Sequence, residues 1–265
     1  MRKLLLSLPL IFLIFGCTED VGPEITTDPI KEGNQLFIIS KIWGENSFFG
    51  LLSLMEYQSI TSEKLPDCPK IIINTEQRKV TLDFDQTSAC EQIGVSKRKG
   101  KIHLEYSSTS SSLPTWTMNF EDYKVDDIQL SGTKIYTRSD FRTIQESAEN
   151  LKVRTATGLS HQFESQVNHT LTVFNLRLIG FSSVGQLVGI NPAGRSFTWD
   201  ITTPKAYLVS CIQNNQILPI SGLESFQIQR GKSSSFTYKM SYSTTGDCNS
   251  QVQLILPDGQ TISPS

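Results

Sequence analysis

Lys79-Val80-Thr81-Leu82-Asp83-Phe84 alternates polar and apolar side chains, one residue at a time. A strand sends successive side chains to opposite faces, so Val80, Leu82 and Phe84 share one face and Lys79, Thr81 and Asp83 the other. The same period of two returns at Ile102, Leu104 and Tyr106 and at Trp116, Met118 and Phe120. It returns again at Phe197, Trp199 and Ile201, and at Phe236, Tyr238, Met240 and Tyr242. Strands that are dry on one side and wet on the other belong to antiparallel sheets. Pro257-Asp258-Gly259, Asn191-Pro192-Ala193-Gly194 and Thr245-Gly246-Asp247 punctuate these runs; glycine accepts the positive φ of a tight hairpin. The expected fold class is mainly β: antiparallel sheets, sandwich-like or an extended meander, with one short N-terminal helix.

Working outward, the patterns change toward the N-terminus. Thr18–Asn34 holds five acids, two prolines and two glycines and few large apolar residues, a composition that reads as a flexible tether. The globular part is expected to begin near Gln35. Leu36–Ile39 is apolar enough for a strand. Asn46 is placed to cap a helix to about Gln58, with Phe48, Leu51, Leu52 and Met55 at helical spacing. The gap Ser139–Asn150 reads as a short helix or loop. These boundaries divide the chain into 1–16, 17–34, an N-terminal β region at 35–140 and a C-terminal β region at 141–265. The last two are able to form one continuous domain.

Met1-Arg2-Lys3 is short and basic, and Leu4–Phe15 follows as an apolar run of 12 residues. A helix of that length covers roughly 18 Å, and spanning the bilayer core takes about 20 residues. The run has the proportions of a signal-peptide core. Ile14-Phe15-Gly16-Cys17 resembles the lipobox of bacterial lipoproteins. That resemblance implies removal of residues 1–16 and diacylglycerol on the sulfur of Cys17, which becomes the first residue. Two or more acyl chains hold a protein firmly at a membrane. Thr18, where inner-membrane retention uses Asp, resembles an outer-membrane sorting signal, with the periplasmic and the surface face both open. The resemblance covers Met1–Asp20 and carries no activity.

From Cys17 on, 22 basic side chains face 26 acidic ones, a formal net charge of −4. Nothing here is polycationic, so no nucleic-acid partner is expected. Besides Cys17, four cysteines remain: Cys68, Cys90, Cys211 and Cys248. An even number in an exported chain points to disulfides. Of the three pairings, Cys68–Cys90 with Cys211–Cys248 keeps each bridge within one half of the chain. None of these cysteines has the short spacing of a zinc ribbon.

Chemistry-bearing residues are sparse. His103, His161 and His169 are scattered and form no HExxH. Gly180-Phe181-Ser182-Ser183-Val184-Gly185 is one residue too long for a serine elbow. Asp83, Asp85, Glu105 and Glu121 supply carboxylates for glycoside hydrolysis only if two converge in a cleft. Lys97-Arg98-Lys99-Gly100-Lys101 reads as a solvated hairpin turned at Gly100, or as a patch for anionic sugars or headgroups. No catalytic, cofactor or metal residue is assigned. The expectation is a lipid-anchored, non-enzymatic binding or structural module at the outer membrane, with an envelope protein or glycan as partner. The alternatives are a glycan-acting hydrolase and an accessory subunit of an outer-membrane transporter or export machine.

Overall fold

A computed structural model of the chain describes residues 27–86, 96–107, 113–246 and 248–264. It contains helix α1 (Pro29–Leu51), the short α2 (Leu54–Ser59) and a 3-10 turn at Ser62–Lys64, followed by β1 (Lys70–Asn74), β2 (Lys79–Asp83), β3 (Arg98–Tyr106), β4 (Thr115–Val125) and β5 (Ile128–Arg138). The chain continues through β6 (Thr143–Arg154), β7 (Ser160–Phe174), β8 (Arg177–Ile190), β9 (Ser196–Leu208) and the five-residue α3 (Val209–Gln213). It ends with β10 (Ser221–Gln229), β11 (Ser235–Thr244), β12 (Ser250–Ile255) and β13 (Thr261–Ile262). All thirteen strands form one antiparallel sheet in sequence order, with β1 and β13 at its ends. The fold is therefore mainly β and a continuous meander. The sheet runs unbroken across residue 140, since β5 pairs with β6.

The alternation seen in the sequence is the packing of this sheet. Val80, Leu82, Phe84, Ile102, Leu104, Trp116, Met118, Phe197, Trp199 and Ile201 are all buried. Tyr238, Met240 and Tyr242 are buried too, whereas Phe236 is exposed and lies under the guanidinium of Arg230, 4.5 Å from its ring centroid. The hairpin turns fall where they were read: the 191–194 and 257–259 turns join β8 to β9 and β12 to β13.

The N-terminal segment differs from the sequence reading. Residues 36–39 are not a strand, the tether does not extend to Asn34, and Asn46 does not cap a helix. One helix of 23 residues, about 34 Å long at a rise of ~1.5 Å per residue, replaces all three. Asp28 caps it, accepting from the backbone N–H of Ile30 and Lys31, with Pro29 at the first turn. Asn46 lies mid-helix and donates its amide N–H to the Ile42 carbonyl one turn back. The helix ends where aromatic donors meet its last carbonyls: Tyr57 donates to Phe49, Trp116 to Gly50 and Tyr106 to Leu52, each at 2.7 Å. Those carbonyls have no partner within the helix and, being buried, need one.

Helix α1 was missed because its second half has no wet face. Every residue from Ile42 to Leu51 is buried, so the polar-apolar periodicity of a surface helix is absent. Its side chains and backbone meet the sheet from β3 round to β12: Arg98 on β3, Trp116 on β4, Glu146 on β6, Tyr207 on β9, Glu224 on β10 and Leu254 on β12. The sheet is coiled around the helix, and close approach needs small residues. A methyl group at Gly50 would overlap the ring of Tyr136 on β5, and one at Gly44 would meet the Tyr207 hydroxyl.

Two further readings are corrected. Residues 139–150 are not a helix or loop but a turn and the first part of β6. The basic run 97–101 is not a hairpin. It lies mainly in β3, where Gly100 forms a bulge (φ 78°) against β4, and Arg98 points inward instead of into solvent. Among the described residues no helix is long and apolar enough to cross a membrane.

Candidate functional site

The core holds charged groups that the sequence reading left unconnected. Glu146 on β6 accepts from four donors: Lys134 Nζ of β5 at 3.2 Å, Trp43 Nε1 at 2.9 Å, Ser47 Oγ at 3.1 Å and His169 Nε2 of β7 at 3.2 Å. The Nδ1 atom of His169 lies 2.9 Å from Ser183 Oγ on β8. Burial alone would push the Glu146 carboxyl up, but the Lys134 ammonium and the His169 hydrogen bond more than reverse this and hold it down at about 2. Burial lowers the pKa of Lys134 in spite of its partner.

A second cluster repeats the design one helical step away. Glu224 on β10 accepts from Lys205 Nζ of β9 at 2.9 Å, Trp199 Nε1 at 3.0 Å, and Ser40 Oγ and Tyr242 Oη, each at 2.6 Å. The Trp43 ring lies between the two clusters, 5.1 Å from Lys134 Nζ and 5.7 Å from Lys205 Nζ. Ser40, Trp43 and Ser47 are spaced three and four residues apart, so α1 presents them on one face. That spacing is the sequence signal that could have led to the clusters. Glu45 on α1 pairs with the buried Arg98 at 2.9 Å, and Glu32 with Arg230 and Tyr238.

Serine, histidine and carboxylate in this order form a nucleophilic array in principle. Here Ser183, His169 and Glu146 are sealed: His169 and Ser183 have no exposed surface, and Trp43 stacks on the imidazole at 6.1 Å between centroids. The arrangement instead locks the helix. A slip of α1 by one residue would strand several buried charges without partners, and each stranded charge costs several kcal/mol.

The other candidates of the sequence lie apart. His103 sits on a wet face between Thr81 and Glu121, at 3.0 and 2.9 Å. Glu105 pairs with Lys79 across the strands. Asp83 accepts from the backbone of Asp85, and Asp85 from that of Gly100. His161 is buried against Phe197, with its imidazole driven down to about 4 by burial. Among the described residues no three His, Cys, Asp or Glu side chains gather into a metal site. Cys211 of α3 is bonded to Cys248, with their Cα atoms 5.3 Å apart. Cys68 is buried and disulfide-bonded; Cys90, its expected partner, lies outside the described residues, as does Cys17.

Open space of another kind lies at the C-terminal end of α1. A cavity of about 700 Å³ is bounded by α2 and the 3-10 turn on one side and by the start of β8, the end of β9 and α3 on the other. Phe48, Leu52, Leu178, Ile179, Leu208 and Val209 give it an apolar wall, and Lys64 and Arg177 stand exposed at its rim. Glu56 also reaches it, with its charge engaged: one oxygen accepts from the Leu178 N–H at 3.1 Å, the other from Ser53 N and Oγ at 2.8 and 2.7 Å. Pockets of this size and apolar character are typical of small-molecule sites. No protein-family model, no curated protein and no solved structure matches the chain.

Proposed function

We propose that this chain is a lipid-anchored, non-enzymatic binding module of the cell envelope, held at the outer membrane through Cys17. One observation carries the binding half of this reading. The buried array of Ser183, His169 and Glu146 is walled into the core, while the open concave surface at the end of α1 is mainly apolar. A reacting group must reach its substrate, whereas a binding wall needs only shape and desolvation. The leader and Gly16-Cys17 support the anchor. The strand carboxylates that a glycan hydrolase would use are tied to strand partners or local backbone.

The test has two arms. Palmitate labelling and fractionation should place the wild-type chain in the membrane and release the Cys17→Ser chain unlabelled; continued labelling of that variant removes the anchor. Purified protein incubated with envelope glycans and peptides should turn none of them over. Turnover abolished by Glu105→Gln or Asp83→Asn would replace the binding reading with an enzyme.

A further inference from the structure

We propose that the cavity at the C-terminal end of α1 binds a single-chain anionic amphiphile, its acyl chain along the apolar wall and its head between Lys64 and Arg177. This rests on the binding-module reading and names its ligand class. Three observations point the same way. The wall is apolar from the end of α1, from β8 and from Leu208 and Val209, and its size falls in the range of small-molecule sites. The lining carries two exposed cations, Lys64 and Arg177, against one carboxylate, Glu56, a formal excess of one positive charge. Thus the local field favours a negative head.

The third observation concerns the surroundings. Among the described residues the four most exposed large apolar side chains are Leu176 (72 %), Met55 (64 %), Phe174 (64 %) and Phe141 (61 %). All lie at this end of the sheet: Phe174 and Leu176 on the β7–β8 hairpin beside Arg177, Met55 on α2, and Phe141 on the β5–β6 turn. Leu176 stands at φ 62°, a position where glycine would cost least. An apolar side chain is thus held, against its own backbone preference, in the residue that precedes the lining residue Arg177. Scattered exposed apolar residues are ordinary, but four such side chains at one end of the sheet favour an apolar partner there. The described chain enters α1 at Pro29, about a helix length, ~34 Å, from this mouth. The ligand proposed is a separate molecule, and the chain's own acyl group is the rival occupant that the experiment reads.

The experiment uses the full-length Cys17→Ser chain and the fluorescent fatty acid cis-parinaric acid. Saturable binding is expected, with displacement by palmitate at least tenfold tighter than by hexadecanol, which has the same chain without the charge. Leu208→Trp, at a half-exposed lining position, should abolish binding of both. Lys64→Glu with Arg177→Glu, both on the surface, should weaken palmitate at least tenfold and leave hexadecanol unchanged. Absence of saturable binding, or binding indifferent to Leu208→Trp, overturns the proposal. Equal affinity for hexadecanol and palmitate overturns the anionic class. Native mass spectrometry reads the other occupants. A dimer dispersed by Leu208→Trp would assign the cavity to a second copy. Lipidated wild type that takes up no palmitate while Cys17→Ser does would assign it to the chain's own acyl group. Either result overturns the proposal. These failures leave the anchor and the absence of turnover untouched, since separate measurements read them.

Discussion

Glu146→Gln keeps the shape of the side chain and removes its charge. In the native fold four donors converge on that carboxylate, and neither Lys134 nor His169 has exposed side-chain surface. The amide still accepts through one oxygen but turns an NH2 group toward the donors. The Lys134 ammonium then lies buried against Ser47 Oγ at 3.2 Å and the face of Trp43, without a counterion. Breaking a buried pair in this way costs about 3–5 kcal/mol. In a chain of this size 1 kcal/mol moves the melting temperature by roughly 2–4 °C, so a drop on the order of 6–20 °C is expected. Urea denaturation of the two proteins side by side measures the loss directly. Two controls frame it. Glu105→Gln removes the partner of Lys79 in a pair whose side chains are 44 % and 49 % exposed, and should cost less than about 1 kcal/mol. Lys134→Met combined with Glu146→Leu removes both charges and should recover part of the loss, since Trp43 Nε1 and His169 Nε2 still lose their acceptor. A Glu146→Gln chain within about 1 kcal/mol of wild type would refute the view that this cluster locks the helix. The same carboxylate sets an acid limit. Its folded pKa is depressed from 4.5 to about 2, so its contribution is complete above pH ~4.5 and is lost as the pH falls toward 2.

His161 acts in a separate window. Its folded pKa is lowered from 6.5 to about 4, so the unfolded chain binds the proton first and stability falls as the pH drops from about 6.5 to 4; His161→Phe should flatten that stretch of a pH series of melting temperatures. Gly50→Ala adds helix propensity, worth up to about 1 kcal/mol, but drives a methyl into Tyr136, which stacks on Trp116 at 5.6 Å. Overpacking of that kind costs about 1–3 kcal/mol, so urea melts should show net destabilisation; a stabilised variant would mean the helix sits further from β5. The Cys211–Cys248 bridge closes a loop with a sequence separation of 37, worth about 4 kcal/mol in the chain-entropy model. Cys248→Ser should lower the unfolding midpoint accordingly, and an unchanged midpoint would show the bridge idle.

Five alternating strands and the turns at 191–194 and 257–259 were legible in the sequence because period-two burial is a local property. Val80, Leu82 and Phe84 announce a dry face whatever packs on it, and Pro257-Asp258-Gly259 turns the chain by its own backbone preferences. The Cys211–Cys248 pairing followed from counting cysteines and keeping loops short. Helix α1 was not legible. A pattern search places polar residues in water, and α1 carries Glu32, Ser40, Glu45 and Ser47 into the core. Their partners are distant in sequence: Ser40 meets Glu224 across 184 residues, Glu45 meets Arg98 across 53, and Ser47 meets Glu146 across 99. Lys134 and Lys205 were hidden for the same reason, as charges on strands whose inner faces are otherwise apolar. The array of Ser183, His169 and Glu146 and the apolar cavity both draw on elements from separate parts of the chain. No local signal carries such a site. Burial turns a polar residue from a surface mark into a core contact, and only the coiling of the sheet around the helix decides which residues are buried.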